Sequence, residues 1–592
     1  MINGSLEELP GVDLGPMPEH CMSCYSRVID SVVYRRLRIC PKCRFHHSIT
    51  SGRYIALLTD AGTFNESPPL FTTQMAQDAL EEQYRERLQQ EVTRTGATEA
   101  VITGTGEIEG VKCVIILLNF SFAGGSIGVL VGEEVARSFE WAANRKLPCV
   151  AVVTSGGERR EEGILAMFQM IKTVGATRAL LKKQLPYIAV LGNPCHGAAF
   201  ASFVAQADVI VSEPGAAIGF ALQGDGVKRA DAEDEEPSDF FTAEQFAEWG
   251  QIDAVVDRAE LKPTLGRLLR AVTKHGKPVK DTEADADDAP ADDAGGEVES
   301  DAPAREFSLR EIETAQNPNG AAYLDALFED FVPINRHALD RRADAVICGF
   351  GRIAGEAVAA IIVNRDPDAK TAVVTANALH KATRLARLAD RFNLPLITLV
   401  DNCQPATGLE QERLGVAKSI SRAIATMGEV ETPIIAVIIG IVGSETTLAF
   451  GIADSAAMLD NVAFMLNTQA HLPSDGESDA DESPPPYFKP QECLEMGIVD
   501  AIIDTGANAD NREHIVNQTR AHLIEQLKRI GAKRGEKLAQ SRINRFRKLD
   551  SDYTFSEARI KRRWDFWQAG IKAAAKSIRT PTNAEPEDNA ER

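Results

Sequence analysis

The sequence has no apolar run approaching the roughly 18–20 residues that a membrane-crossing helix needs. Its opening segment, MINGSLEELPGVDLG, has acidic residues where a secretory signal would have an apolar core. Positive charge is also scarce: 64 Lys and Arg stand against 86 Asp and Glu, a formal net charge of −22. A surface of that sign disfavours non-specific binding of nucleic acid by the whole molecule. No disulfide framework is visible. Six of the ten cysteines (Cys113, Cys149, Cys195, Cys348, Cys403 and Cys493) are scattered, mostly in apolar segments, which suits a reducing compartment. These absences lead to the expectation of a cytoplasmic protein with no membrane attachment. Common catalytic signatures are missing too. Ser155, in TSGGE, lacks the Gly-x-Ser-x-Gly frame of a nucleophile elbow. GGSIGVLVGEE lacks the lysine of a phosphate-binding loop. There is no metalloprotease motif. These gaps fit an enzyme that works through backbone dipoles.

What is present begins with HCMSCYSRVIDSVVYRRLRICPKCRFHH, from His20 to His47. Cys21 and Cys24 form one Cys-x2-Cys pair, and Cys40 and Cys43 a second, with fifteen residues between the pairs. This is the spacing of a structural four-thiolate zinc site, in which four ligands close a tetrahedron and no position is left to activate water. The intervening VIDSVVYRRLRI reads as a short hairpin. His46 and His47 read as surface or packing residues, since four thiolates already satisfy the metal.

With 592 residues, 44% hydrophobic and 25% charged, the chain is long enough for two to four domains at roughly 100–200 residues each. It also repeats itself. Pro148 and Pro395, Pro186 and Pro433, Phe241 and Phe488, and Asp253 and Asp500 fall in similar segments, each pair 247 positions apart. One register held across several blocks implies two homologous halves. Each half reads as α/β. Val150–Val153, Ile188–Leu191, Leu396–Val400 and Ile434–Ile439 are continuous apolar runs, as expected of buried parallel strands. Ile164, Met167, Phe168 and Ile171 mark one buried helix face, and Leu385, Leu388 and Phe392 another. The segment DTEADADDAPADDAGGEVESDAPA, from Asp281 to Ala304, has almost no large apolar residue and reads as a self-repelling linker. Acidic inserts begin at Asp231 and Pro473 and read as exposed loops. The expected organisation is a ribbon over 1–55, a first half over 56–275, a linker over 276–310, a second half over 311–508 and a basic helical tail over 509–592. That tail, with Trp564 and Trp567, reads either as a wrap for a partner protomer or as a plain surface helix.

Two glycine-rich turns follow apolar strands in the first half. One carries Gly124, Gly125 and Gly128, the other Gly156 and Gly157. A strand–Gly-Gly–helix turn leaves backbone N–H groups at a helix N-terminus, where partial positive charge collects. Two such groups side by side can hold an oxyanion.

The ribbon, FAGGSIGVLVG, TSGGERREEGILAMFQM and ASFVAQADVIVSEPGAAIGF together resemble the beta subunit of bacterial acetyl-CoA carboxylase carboxyltransferase. ALHKATRLARLADRFNLPLITLVDN and IIGIVGSETTLAFGIAD resemble the alpha subunit. The chain thus resembles a beta–alpha fusion. The resemblance implies two tandem crotonase-like (ββα superhelix) domains behind a zinc ribbon, with one structural Zn²⁺ per chain. It implies transfer of a carboxyl group from carboxybiotin, on a biotin carboxyl carrier protein charged by biotin carboxylase, to acetyl-CoA. The product would be malonyl-CoA for fatty-acid synthesis. Gly156 and Gly157 would be backbone oxyanion donors. Gly124, Gly125, Gly128 and Gly197 would shape the acyl-CoA pocket. The cleft would lie between the first half of one copy and the second half of a partner in a homodimer. The ribbon would cap the cleft and carry weak nucleic-acid binding.

The second half departs from the family pattern. Its glycine-rich turn stands as VGSETT, where only Gly443 and Ser444 of a degenerate second site remain and Glu445 and Thr446 replace a Gly-Gly pair. The family's Thr-Pro-Gly loop reads NCQPATG here, from Asn402 to Gly408. His196 precedes Gly197 in the first half and reads as a ligand-facing donor or as a packed, hydrogen-bonded histidine. Three readings follow: a working carboxyltransferase, an impaired acyl-CoA-binding or regulatory relative, and a nucleic-acid-binding protein using the ribbon and basic tail.

Overall fold

The computed structural model describes residues 18–68, 82–220, 241–272, 317–334, 345–365, 371–465, 487–506 and 512–549, with isolated positions between 307 and 315 and at 369. The acidic linker, both acidic inserts, Trp564 and Trp567 lie outside the described residues.

The first described element is the ribbon. Each Cys-x2-Cys pair occupies a tight turn closed by a backbone bond, Tyr25 N–H to Cys21 O at 2.9 Å and Arg44 N–H to Cys40 O at 3.1 Å. Between the turns lies a helix, α1 (Val32–Leu37), and not the expected hairpin. The local signal was Ser31, whose hydroxyl accepts the Tyr34 N–H and caps the helix. The ribbon is fastened to the body by buried arginines. Arg258 donates to the Leu37 and His47 carbonyls at 2.8 and 2.9 Å and pairs with Glu213. His46 lies 3.6 Å from both Glu213 and Asp257. His47 packs edge-on against Tyr34 and Phe45. Both histidines therefore pack, as expected.

The first half is built on a nine-stranded sheet. Its spine is β1 (Val101–Ile108), β2 (Val111–Leu118), β3 (Cys149–Ser155), β4 (Tyr187–His196) and β5 (Val209–Ser212). The first pair is an antiparallel hairpin and the remaining steps are parallel. Helices packed on it include α2 (Val129–Arg145), α3 (Ile164–Lys182) and the short α4 (Gly197–Phe200) on one face, and the helix Arg258–Val272 on the other. The second half is a seven-stranded sheet of the same plan. Hairpin β6 (Val346–Ile353) and β7 (Glu356–Val363) leads into parallel β8 (Leu396–Val400), β9 (Ile434–Ile438) and β10 (Ser455–Leu459). Its helices include α5 (Ala376–Arg391), α6 (Val416–Glu429) and α7 (Glu445–Gly451).

The 247-position repeat appears in three dimensions as matched hydrogen bonds. Cys149 N–H donates to Pro186 O at 2.9 Å, and Leu396 N–H to Pro433 O at 2.8 Å. Ile210 N–H donates to the Asp253 carboxylate at 2.7 Å, and Ala456 N–H, one position short of the same register, to Asp500 at 2.8 Å. Strands β3, β8 and β9 are buried at every position, which explains why they read as unbroken apolar runs.

Three sequence expectations need correcting. Helix α3 is long and apolar enough to cross a bilayer by length and composition, but 78% of its apolar window is buried inside the protein. It is wedged between the halves, so it is buried well beyond the single stripe expected. In α5 the buried stripe is Leu379, Ala382, Thr383, Leu385, Ala386 and Ala389, so Leu385 is buried as expected, whereas Phe392 is the C-cap residue and 54% exposed. The described end of the basic tail, α8 (Glu536–Lys548), is not a plain surface helix but packs into the seam between the halves. Its Ile543 fills the space over two glycines, one from each half. A Cβ on Gly175 of α3 or Gly428 of α6 would stand 2.8 or 2.5 Å from it. Phe546 stacks on Phe168, and fully buried Arg542 donates to the carbonyls of Met427, Val430 and Thr432 at 2.7–2.9 Å and pairs with Asp454 at 2.6 Å. One apolar core consequently runs through both halves.

Candidate active site and metal centre

The two first-half glycine turns lie against each other at the ends of β2 and β3. Gly124 and Gly125 adopt φ of 65° and 63°. A Cβ on Gly125 would run into the Thr154 carbonyl oxygen, so only glycine permits this approach. The approach has a consequence that corrects the sequence reading. Gly156 N–H donates to Gly124 O at 2.9 Å, and Gly157 N–H to Ser155 Oγ at 3.1 Å. Ser155 Oγ in turn donates to Gly125 O at 2.7 Å. The two amides expected to point at a ligand instead clip the turns together. What faces Gly157 is the start of α4: a Cβ on Gly157 would stand 3.5 Å from Ala198 N, and one on Gly197 would stand 3.3 Å from Gly157 Cα. The first N–H groups of a helix have no partner within it, so this junction is where main-chain donors can converge. The structure thus brings Gly124, Gly125, Gly156, Gly157 and Gly197 together. Gly128 sits apart, capping α2 against Glu162.

Sequence reasoning overlooked Arg159. It is fully buried and pairs with Glu99 at 2.6 Å and Glu162 at 3.3 Å. It also donates to Ser126 Oγ and O at 3.0 and 3.1 Å. Tyr84 donates to Glu162 at 2.7 Å. Arg159 thereby fixes one glycine turn to the other. No local signal marks it, because Glu99 is sixty positions distant. His196 is buried, with Nε2 3.0 Å from Ala217 O. Burial holds its pKa down to about 4, against the bond to Ala217. It is the packed histidine of the two alternatives.

The second-half turn is closed by hydroxyls. Ser444 caps α7, and the N–H groups of Gly443 and Ser444 donate to Thr447 Oγ1 at 3.4 and 3.3 Å. Ser444 Oγ donates to Cys403 O at 2.5 Å and meets Thr446 Oγ1 at 2.8 Å. Glycine is required at 443, since a Cβ there would collide with Met465 O. Glu445 follows, half-buried. Burial, and then the charge of Glu158, push its pKa up to about 7, with Arg160 acting against them. Glu158 belongs to the first-half turn. The two turns are therefore close enough within one chain for their carboxylates to interact.

The four ribbon thiols form a candidate metal centre. All their sulfurs lie within 4.8 Å of one another, with Cys21–Cys43 and Cys24–Cys40 both at 3.7 Å. Sulfurs bound 2.3 Å from a tetrahedral Zn²⁺ lie about 3.8 Å apart, so the donor set and spacing fit that ion.

Comparison with known proteins bears on the whole chain. Residues 50–272 match the carboxyl transferase domain, and residues 311–550 match the acetyl co-enzyme A carboxylase carboxyltransferase-like family. The acetyl-coenzyme A carboxylase carboxyl transferase subunits beta/alpha of Saccharopolyspora erythraea are 31% identical over 560 residues, covering 91% of this chain and 95% of that protein. The subunit beta of Thermus thermophilus is 40% identical over 250 residues, 42% of this chain and 87% of the relative. Among solved structures, the transcarboxylase 12S core is 19% identical with a TM-score of 0.31, covering 83% of this chain and 90% of that one. The class is that of the carboxyl transferases. Within it, the chain belongs to the acetyl-coenzyme A carboxylase carboxyl transferase beta/alpha family.

Proposed function

We propose that this chain transfers a carboxyl group from carboxybiotin, borne on a separate carrier protein, to the α-carbon of acetyl-CoA or another short acyl-CoA. The product is malonyl-CoA or its homologue, for fatty-acid synthesis in the cytoplasm. The observation that carries the reading is the packing of Gly157 against the start of α4, whose first N–H groups have no partner within the helix. A developing thioester enolate is stabilised there by backbone dipoles and needs no side-chain nucleophile. The carboxyl unit leaves the biotin ureido nitrogen and bonds to the α-carbon, and the α-proton ends on that nitrogen. Arg159 holds the turns in register, and Glu158 with Glu445 sets the charge of the opening between halves. The ribbon holds one structural Zn²⁺ and caps the first half. Two crotonase-like units in tandem, over 56–275 and 311–508, form the body. A homodimer works with biotin carboxylase and the biotin carboxyl carrier protein.

A specific observation favours a second reading. The hydroxyl-capped turn at Gly443–Thr447 and the carboxylate of Glu445 occupy the place where the family pattern has open glycines. This describes an acyl-CoA-binding or regulatory relative that has lost the biotin side. Titration calorimetry with acetyl-CoA, and separately with a biotin analogue, tests both. Binding of both ligands supports the transferase. Binding of acetyl-CoA alone supports the second reading, and binding of neither overturns both.

A further inference from the structure

A cavity of about 330 Å³ opens between α2, α3 and α8, where the first half meets the C-terminal helix. Its wall carries five basic side chains, Lys172, Arg178, Lys182, Lys183 and Arg547, and one acidic side chain, Glu140. The cavity is distinct from the glycine turns. Lys172 and Lys182 stand eight and eighteen residues along α3 from Ile164, roughly 12 and 27 Å at 1.5 Å per residue.

The acids nearby are already engaged. Glu133 is shared by Lys172 at 3.4 Å and Arg547 at 2.8 Å. Glu140 pairs with Arg547, and Glu536 with Lys182. Glu429 is close enough to feel Arg178 and Lys182, but no hydrogen bond joins it to either among the described residues. Two cations are left to face the space. Among the described residues, Lys183 donates only to the Asn144 amide oxygen, at 3.4 Å. Arg178 has a buried Nη1 with no hydrogen-bond partner among the described residues. A buried guanidinium N–H without an acceptor is destabilising, and planar guanidinium donors match phosphate oxygens well. The volume exceeds what a single phosphate needs and falls in the range of small-molecule sites.

We propose that this cavity binds a phosphate ester of nucleotide size, with Arg178 and Lys183 donating to its phosphate oxygens. The site is built from the first half and the C-terminal helix and does not depend on the proposed carboxyl transfer. The test is titration calorimetry of the full-length protein at low salt with ATP, with pyrophosphate and with inorganic phosphate. The expected result is saturable binding of ATP, weaker binding of pyrophosphate and weakest binding of phosphate, all falling as salt rises. Arg178→Gln with Lys183→Gln should weaken ATP binding at least tenfold and leave acetyl-CoA binding unchanged. Should that double variant fail to fold, Lys183→Glu alone, on an exposed side chain, should weaken it to a similar degree. Absence of binding by all three probes, binding that the variants do not alter, or displacement of ATP by acetyl-CoA would each overturn the proposal.

Discussion

Replacing Arg542 with leucine probes how the two halves are held together. The guanidinium makes five bonds, to the carbonyls of Met427, Val430 and Thr432 and to both carboxylate oxygens of Asp454. Leucine makes none. Breaking a buried ion pair from one side costs about 3–5 kcal/mol, because the remaining charge is left uncompensated. Among the described residues, Asp454 then keeps one hydrogen bond, from the Ile434 N–H at 2.8 Å, and the more distant charge of Arg545. Each orphaned carbonyl adds about 1 kcal/mol or more. We therefore expect a loss of roughly 6–8 kcal/mol in urea unfolding followed by far-UV circular dichroism at pH 7. The loss should shrink at pH 4, since a protonated Asp454 needs no counter-charge. Adding Asp454→Leu should restore part of it, because no buried charge then remains. A loss below about 1 kcal/mol, in the range of exposed ion pairs, or one independent of pH, would show that α8 does not clamp the seam.

Other expectations follow from single residues. The Glu445 carboxyl has a folded pKa of about 7 against 4.5 unfolded, so stability falls as pH rises between those values and the penalty is fully present above 7. Glu445→Gln should stabilise by about 1–2 kcal/mol at pH 8, a value reduced for its partial exposure, and should change little at pH 4; thermal melts at the two pH values decide. Glu445→Gly should raise affinity for a biotin analogue if the carboxylate is what obstructs the second turn, and an unchanged affinity would clear Glu445 of that role. Gly125→Ala should cost about 2–4 kcal/mol through positive φ and collision with Thr154 O, and should reduce acetyl-CoA affinity at least tenfold in the same titration. Elemental analysis should find one zinc per chain, lost in Cys40→Ser together with protection of the ribbon from protease; retention of metal would refute the four-thiolate site.

The sheet strands were legible because parallel strands buried on both faces leave unbroken apolar runs, and the repeat was legible because Asp253 and Asp500 close equivalent bonds. The four thiols were legible because their spacing is local. What escaped depends on pairings distant in sequence. Gly156 and Gly157 looked like open donors, but their amides are taken up by Gly124 and Ser155, across a turn-to-turn contact that no spacing rule encodes. Arg542 and Ile543 sit in a helix whose composition suits a surface, and only the glycines at 175 and 428 make room for it. Arg159 looked like one charge among several in GGERREEG, yet it is the buried brace of the site. Glu445 was visible as a departure from pattern, but its approach to Glu158 within one chain was not.

The account's central claim is that main-chain amides at the start of α4, beside the first-half turns, activate a short acyl thioester for carboxylation. The most direct measurement is turnover with a carboxylated biotin carrier and isotopically labelled acetyl-CoA, with products separated chromatographically. The account predicts labelled malonyl-CoA that forms in proportion to enzyme and is abolished in Gly125→Ala. No carboxylated product with acetyl-CoA or with any other short acyl-CoA, from protein that holds its zinc and binds acetyl-CoA, would contradict it.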